Sequence, residues 1–153
     1  MKAFDSRMGY KVNLRDFLKR LRTQRHLSFR ELSRRTQPRV SSGYISLLEK
    51  GDQDRPSQSV VDSLLGVLEV SEKEAYIFKT IIRNKEIDSE VVDFYLSDPN
   101  IKVDDLGTLC FISGDDRNPN PKSSAYWWTA LNALKDMADQ CYEDWIRRVT
   151  KKS

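Results

Sequence analysis

Two short helical segments separated by a proline-containing turn constrain the fold of this chain more than any other feature. They lie in residues 27–51, LSFRELSRRTQPRVSSGYISLLEKG. Ser28 and Glu31 have the spacing of a capping box, in which each side chain satisfies a free backbone amide at the start of a helix. Pro38 has no backbone donor and disfavours helical geometry at Gln37, so the first helix has to end before it.

The second helix of this pair can begin at Ser41 or Ser42. Ile45 and Leu48 then lie on its buried face, because residues three apart are neighbours on a helix surface. Gly51 follows its last turn, at the position where a left-handed residue commonly ends a helix. Two short helices joined by a tight polar turn are the outline of a helix-turn-helix.

The flanking segments predict three more helices, after a flexible lead-in at residues 1–12. Asn13 is placed to cap a first helix with Asp16 in its first turn. Pro56 and Ser57 start a fourth helix, and a capping box at Ser71 and Glu74 opens a fifth. Apolar residues at helical spacing mark the buried faces. They are Leu14, Phe17, Leu18 and Leu21; Val60, Val61, Leu64, Leu65 and Leu68; and Ala75, Ile77, Phe78, Ile81 and Ile82. The pattern predicts a compact all-α unit.

Positive charge is concentrated in the first third of the chain. Residues 1–55 carry 14 Lys and Arg against 6 Asp and Glu, whereas the remaining residues carry 12 against 17. Asymmetry of this kind indicates one module that faces an anionic partner and a second module with another task. The cations of the predicted first helix are expected to orient the domain toward a polyanion. They are Arg15, Lys19, Arg22 and Arg25. Charge alone leaves nucleic acid, an acidic protein and an anionic lipid surface open.

Several classes of function find no support in the sequence. The chain has one histidine, His26, and two cysteines, Cys110 and Cys141, which lack metal-ligand spacing. There is no nucleophile–base pair and no glycine-rich phosphate loop, and the acids at 104–105 and 115–116 fit helix-start and loop positions. We therefore expect no catalytic residue, no metal and no cofactor. Without an apolar run of about 18 residues or a signal-peptide core, a cytoplasmic protein with no membrane contact is expected.

The C-terminal part of the sequence predicts two short helices and one long helix. The short helices are expected near residues 89–96 and 104–112, and the long one at about 124–150, after a proline-containing loop. Apolar residues along the long helix alternate by four and three, close to a coiled-coil heptad. They are Trp127, Leu131, Leu134, Ala138, Cys141, Trp145 and Val149, and Trp128, Tyr142 and Ile146 widen the stripe. A core helix and a dimer seam both explain this stripe, and both hold if different faces are used.

Four motifs in the right order give the N-terminal segment a family resemblance. They are Leu21-Arg22 with Arg25, Leu27-Ser28 with Leu32, Tyr44-Ile45-Ser46 with Glu49 and Gly51, and Pro56-Ser57. Over roughly residues 12–72 the chain resembles the DNA-binding domain of the Cro/C1-type (XRE family) regulators. The resemblance implies a five-helix lambda-repressor-like domain at residues 1–86. A helical oligomerisation or regulatory domain at residues 87–153 is expected to follow it.

Three departures from the family pattern concern the second and third helices. The connection between Leu32 and Tyr44 is longer than the family norm and includes Pro38. Phe29 stands where the family often has Gln, and Ser33 stands where it usually has Ala. These departures affect the phosphate contact at the second helix and the angle between the two helices.

The resemblance implies that the helix at residues 41–50 enters the major groove of B-form DNA, where residues near its N-terminus reach base edges. The expected base-contacting residues are Ser41, Ser42, Gly43, Tyr44, Ser46 and Leu47. The expected phosphate contacts are Arg30, Arg34, Arg39, Lys50 and Arg55, with the helix N-terminus at Ser57 and Gln58. Glu49 is expected to be a structural partner.

The expected function is that of a sequence-specific, DNA-binding transcriptional regulator. Repression by a homodimer on a pseudo-palindromic operator is the default mode. The alternative is an antitoxin whose C-terminal half binds a toxin. The order of the C-terminal elements also loosely resembles the dimerisation tail of certain stress-response and mobile-element repressors, which adds a metallopeptidase to the candidate protein partners.

Overall fold

The structure is a computed structural model, and it describes residues 10–114 and 123–150. The described ranges contain eight helices and a two-stranded ribbon, so the fold is all-α, as the sequence predicts. In chain order the elements are β1 (Lys11–Asn13), α1 (Leu14–Gln24), α2 (Phe29–Arg35), α3 (Ser42–Lys50), α4 (Gln58–Leu68), α5 (Glu72–Asn84), β2 (Glu86–Asp88), α6 (Ser89–Ser97), α7 (Asp105–Ser113) and α8 (Ser124–Thr150). Within those ranges, no helix combines the length and the apolar character needed to cross a membrane.

Side-chain caps set the starts of the N-terminal helices, and they are the caps that the sequence predicts. Asn13 caps α1 through its side-chain oxygen. Ser28 with Glu31 at α2, and Ser71 with Glu74 at α5, form complete capping boxes. Each cap satisfies backbone amides that the first turn of a helix leaves without an intrahelical partner.

The structure contains a short antiparallel ribbon that the sequence pattern does not predict. β1 pairs with β2 so that Val12 lies opposite Ile87, and both side chains are buried. Three-residue strands are too short to show an alternating pattern, and residues 11 and 12 were assigned to a flexible lead-in instead. The ribbon ties the start of α1 to the junction between α5 and α6. Residues 1–9 lie outside the described part of the chain.

The C-terminal helices continue the core that the N-terminal helices begin. α6 and α7 lie within about one residue of their predicted bounds, and α8 begins and ends as predicted. The predicted proline-containing loop falls largely on residues 115–122, which are outside the described ranges. One cluster of buried apolar side chains runs from Val12 to Leu131 and includes residues of all eight helices. The boundary expected between residues 86 and 87 falls inside β2.

Polar contacts reinforce the junction between the N-terminal part of the fold (β1 to α5) and the C-terminal part (α6 to α8). The Asp88 carboxylate at the end of β2 pairs with Lys11 Nζ at 2.6 Å and accepts a hydrogen bond from the Ser113 hydroxyl of α7. Lys73 Nζ of α5 donates to two carbonyl groups at the C-terminal end of α6, at 2.7 and 2.9 Å. A lysine at this end satisfies carbonyls that the last helical turn leaves free. These contacts hold α6 and α7 in place against the N-terminal helices.

Aromatic contacts anchor the first half of α8. Trp127 is 2% exposed, and its ring stacks on Phe94 of α6 with a centroid distance of 5.9 Å and an interplanar angle of 22°. The Trp128 indole donates to an Asp98 carboxylate oxygen at 2.9 Å. Buried aromatic rings contribute large apolar areas, so this contact helps to attach α8 to the body, together with its packing on α7.

Trp127→Ala tests whether the two halves share one core. Removing this ring should lower the free energy of unfolding by about 3–5 kcal/mol, because a fully buried aromatic side chain is lost and a cavity remains. Circular dichroism in denaturant should show one transition in both proteins. Phe111→Ala is the control, since that ring is 74% exposed and its loss should cost less than about 1 kcal/mol. Two separate transitions in the wild-type protein would contradict the shared core.

Candidate nucleic-acid interface

α3 presents one face to the core and the other to solvent. Ile45 and Leu48 are fully buried, as their spacing predicts. Gly43, Leu47 and Lys50 recur at i, i+4 and i+7 on the opposite side, and all three are exposed, Leu47 by 39%. The outward side of α3 therefore carries a glycine, a leucine and a lysine in a row.

The N-terminal turns of α3 carry the predicted hydroxyl groups. Ser41 is the N-cap, and its hydroxyl oxygen accepts a hydrogen bond from the Tyr44 amide at 3.1 Å. Ser42, Tyr44 and Ser46 are half-buried. The backbone at Gly43 is open, because a Cβ built there would meet no atom within 4 Å. Close approach to α3 is therefore easiest at this glycine.

A bidentate ion pair fixes α3 against α1. Arg22 Nε and Nη2 donate to the two Glu49 carboxylate oxygens at 2.6 and 2.9 Å, and Nη1 donates to the Leu27 carbonyl at 2.7 Å. The two side chains are 13% and 5% exposed. The hydrogen bond to Glu49 raises the pKa of Arg22, so the guanidinium stays charged. Glu49 is a structural partner, as predicted.

Phe29 completes the cluster around this ion pair. The Arg22 guanidinium carbon lies 4.3 Å from the centroid of the Phe29 ring, within the range of a cation–π contact. The family often has Gln at this position. In this chain, the Phe29 ring packs against the guanidinium of Arg22 instead. The amides of Ser28 and Glu31 are occupied by the capping box. These two backbone amides are therefore not available to a phosphate.

Thr36 holds the turn between α2 and α3. It is fully buried, and its hydroxyl donates to the Ser33 carbonyl at 2.8 Å and accepts from the Val40 amide at 2.7 Å. Ser33 is itself buried, so a small side chain is needed there, as in the family. The peptide between Gln37 and Pro38 is cis. The lengthened turn is thus closed by one threonine side chain that bonds to both of its ends.

Five of the predicted phosphate-contacting residues are exposed cations. They are Arg30, Arg34, Arg39, Lys50 and Arg55. None of the five forms an ion pair with a carboxylate in the described ranges. They lie on α2, on the turn, at the end of α3 and in the segment after it, so all five belong to α3 or to the segments next to it in the chain.

Two of the four cations that were expected to face a polyanion bind carboxylates of other helices instead. Arg22 binds Glu49, and Arg25 Nη2 donates to a Glu74 carboxylate oxygen at 3.0 Å. Each charge meets a carboxylate from a helix distant in sequence, which the sequence pattern does not reveal. Lys19 remains exposed.

The start of α4 carries the last two predicted DNA-contacting residues. The Ser57 hydroxyl oxygen accepts from the Val60 amide at 3.4 Å, and Gln58 Nε2 donates to Asp62 at 2.7 Å. Both side chains therefore have partners within α4. What the helix start offers to a phosphate is its remaining free backbone amides.

The residues of the predicted dimer seam fall into two groups along α8. Trp127 and Leu131 belong to the core of the protomer, and Leu134 is half-buried. Farther along the helix the seam residues are exposed: Ala138, Cys141 and Trp145. The side chain of Val149 lies outside the described residues. The first half of α8 is thus a core helix. In the second half, the described residues of the predicted seam are exposed in the protomer.

Comparison with protein families identifies the N-terminal segment. Residues 13–75 match the model of a helix-turn-helix domain family. The match begins at the cap of α1 and ends within α5, so it includes α2, α3 and the turn between them. Residues 13–75 are therefore a helix-turn-helix domain, consistent with a regulator of the Cro/C1 (XRE) type. Searches of curated proteins and of solved structures return no match.

Removing one partner of the Arg22–Glu49 pair should destabilise the domain strongly. Glu49→Ala leaves the guanidinium largely buried without its carboxylate and should lower the free energy of unfolding by about 3–5 kcal/mol. The double variant Arg22→Met, Glu49→Leu should recover most of the loss, because no charge then stays buried. Chemical denaturation measures both changes. Equal losses in the single and double variants would show that an unpaired buried charge is not the cause.

Proposed function

We propose that the protein is a sequence-specific transcriptional regulator that inserts α3 into the major groove of double-stranded DNA. The exposed face of α3, together with exposed cations on α3 and on the segments next to it in the chain, is the observation that carries the proposal. The major groove, about 12 Å wide, admits a helix. Gly43 allows the helix backbone to approach the bases, and Leu47 can contact a thymine methyl group.

Base contacts come from the first turns of α3. The contacting residues are Ser41, Ser42, Gly43, Tyr44, Ser46 and Leu47. Hydroxyl groups both donate and accept, so they suit several base edges, and selection of bound sites from randomised DNA is the way to find the preferred sequence. The Arg22–Glu49 pair positions this set without reaching the DNA, because it lies between α1 and α3.

Phosphate contacts hold α3 in register on the duplex. Arg30, Arg34, Arg39, Lys50 and Arg55 supply charge, and the amides at Ser57 and Gln58 supply a helix N-terminus. Because none of the five cations is committed to a carboxylate among the described residues, their charge is available to the DNA backbone. Each phosphate that is neutralised releases counterions, which makes the affinity fall with salt.

The regulator acts, in this proposal, as a homodimer that represses transcription by occluding a promoter in the cytoplasm. One recognition helix covers few base pairs, and two half-sites about 34 Å apart on a pseudo-palindromic operator supply the missing specificity. The exposed apolar residues in the second half of α8 support self-association.

An antitoxin that binds a partner protein is the alternative, and a surface groove favours it. The groove lies between α7 and α8, encloses about 610 Å³ and is lined by apolar residues that include Phe111, Tyr126 and Leu134. A toxin or a metallopeptidase could dock there. Purification in one-to-one complex with a second protein would support this alternative, whereas a chain that purifies alone as a homodimer would not.

Arg39→Ala and Lys50→Ala should weaken binding to all DNA sequences alike. Each removes a phosphate contact, so the slope of log affinity against log salt should become shallower by about one unit per residue. Fluorescence anisotropy with a random duplex over a salt series measures the slope. Lys102→Ala is the control, because this exposed lysine follows α6, away from α3. A salt-independent affinity of the wild-type protein would refute DNA binding itself.

Gly43→Ala should separate stability from DNA binding. The added methyl group meets no protein atom, and alanine favours a helix, so the variant should gain about 0.5–1 kcal/mol of stability. Its affinity for a selected operator should fall by about 1–3 kcal/mol, the range of one lost base contact. Gly66→Ala on α4 is the matched control, because its added Cβ also meets open space. Unchanged operator affinity in Gly43→Ala would remove this glycine from the interface.

A further inference from the structure

The second half of α8 projects from the body of the protein. Lys135 Nζ pairs with an Asp105 carboxylate oxygen of α7 at 2.7 Å. Every described side chain beyond Lys135 is exposed. At a rise of about 1.5 Å per residue, residues 136–150 extend roughly 22 Å past that contact.

Large apolar side chains cover one side of this projecting segment. Met137, Tyr142, Trp145 and Ile146 are 62%, 63%, 59% and 38% exposed. With about 100° of rotation per residue, all four fall within one half of the helix circumference. The Tyr142 and Trp145 rings stack on each other with a centroid distance of 6.2 Å. Contiguous exposed apolar surface of this kind marks a protein–protein contact.

The charges of the segment are ordered along its length. The acidic stretch comes first and contains Asp136, Asp139, Glu143 and Asp144 without a basic residue. The basic stretch follows and contains Arg147, Arg148, Lys151 and Lys152 without an acidic one. A second copy lying antiparallel would place basic against acidic at both ends, whereas a parallel copy would place like charges side by side. Packed helices lie about 8–10 Å apart, which is close to the Debye length at physiological salt. Salt therefore screens the charges on the two helices only in part, and their interaction favours antiparallel over parallel pairing.

We propose that the projecting end of α8 pairs antiparallel with the same segment of a second copy of this chain, with Tyr142 packed on Trp145 of the partner subunit. The inference rests on the proposed homodimer and names its surface and its orientation. Ala138, Tyr142 and Trp145 have the four–three spacing of a coiled-coil seam. The antiparallel register around residues 143 and 144 packs Tyr142 on Trp145 of the partner subunit and places the acidic stretch of each copy alongside the basic stretch of the other.

The antiparallel arrangement sets a distance between the two bodies. From the centre of the pair to Leu131, the last described buried residue of α8, the helix measures about 19 Å. The two bodies are therefore separated by roughly 37 Å along the paired helices. Successive half-sites on one face of DNA lie about 34–36 Å apart. The separation of the two bodies along the helix pair is therefore of the same size as the half-site spacing.

The contact is small, which makes it sensitive to single side chains. If each of the four large apolar residues contributes on the order of 100 Å² per copy, the pair buries about 800 Å² in total, below the usual range of stable interfaces. The dimer is therefore expected to dissociate on dilution, and Tyr142 and Trp145 are expected to supply most of its stability.

Disulfide formation in the full-length chain tests the orientation. In a Cys110→Ser background, Cys141 is the single thiol. Antiparallel pairing brings Cys141 beside residue 148 of the second copy, so Arg148→Cys should form a covalent dimer on mild oxidation. Gln140→Cys, on the opposite side of α8, is the control and should stay monomeric on a non-reducing gel, as should the parent with Cys141 alone. Crosslinking of the parent, or of Ile146→Cys in place of Arg148→Cys, would indicate parallel pairing and overturn the proposal.

Trp145→Ala tests whether the apolar side of the projecting end of α8 forms the dimer contact. The dimer dissociation constant from sedimentation equilibrium should rise about tenfold or more. The melting temperature of the dilute protein should stay the same, because the side chain is exposed in the protomer. Unchanged self-association, or a wild-type chain that forms a complex only with a different protein, would overturn the proposal. Salt-dependent binding to random DNA should persist in this variant. If the wild-type protein showed no such binding, the proposed function would be refuted, but the crosslinking result would still stand.

Discussion

The ion pair between Arg22 and Glu49 is the interaction on which the position of α3 depends. α3 has nine residues, too few to be stable alone, so tertiary contacts have to hold it. Ile45 and Leu48 attach one side of the helix to the core, but apolar contacts alone tolerate rotation about the helix axis. Two hydrogen bonds from one planar guanidinium to one carboxylate do not, because both partners are fixed in direction. The pair therefore fixes the orientation of α3 that the burial of Ile45 and Leu48 selects.

The positive charge in the first third of the chain falls into two groups. Arg22 and Arg25 meet carboxylates of other helices and hold the fold together. Arg30, Arg39 and Lys50 meet no carboxylate in the described ranges and give the outer surface its charge. The overall balance of lysine and arginine over aspartate and glutamate pointed to an anionic partner but counted both groups together. Only the fold separates the cations that build the domain from those that face its ligand.

Features set by neighbouring residues could be predicted from the sequence, and features set by distant ones could not. The caps at Asn13, Ser28 and Ser71 and the left-handed residue Gly51 follow local rules, and the structure confirms them. The β1–β2 ribbon joins segments more than seventy positions apart, and its three-residue strands carry no pattern of their own. The contact between the Phe29 ring and the Arg22 guanidinium could not be predicted either, because no pattern in the neighbouring residues indicates it. In α8 the apolar period showed that one face is apolar, but it gave no information about which part of that face the body covers.

α8 links the two ends of the proposed mechanism because it is one continuous helix. Its first half is held by Trp127 on Phe94, and those elements connect through β2 and α5 to the helices that carry α3. Its second half holds the second copy in the proposed dimer. A helix of this length bends only gently. A small rotation of α8 where it packs on α6 and α7 would therefore displace its far end and the partner subunit bound there. The spacing of two recognition helices is then set by packing inside each protomer, and a partner protein that shifts Trp127 would alter DNA binding without touching α3.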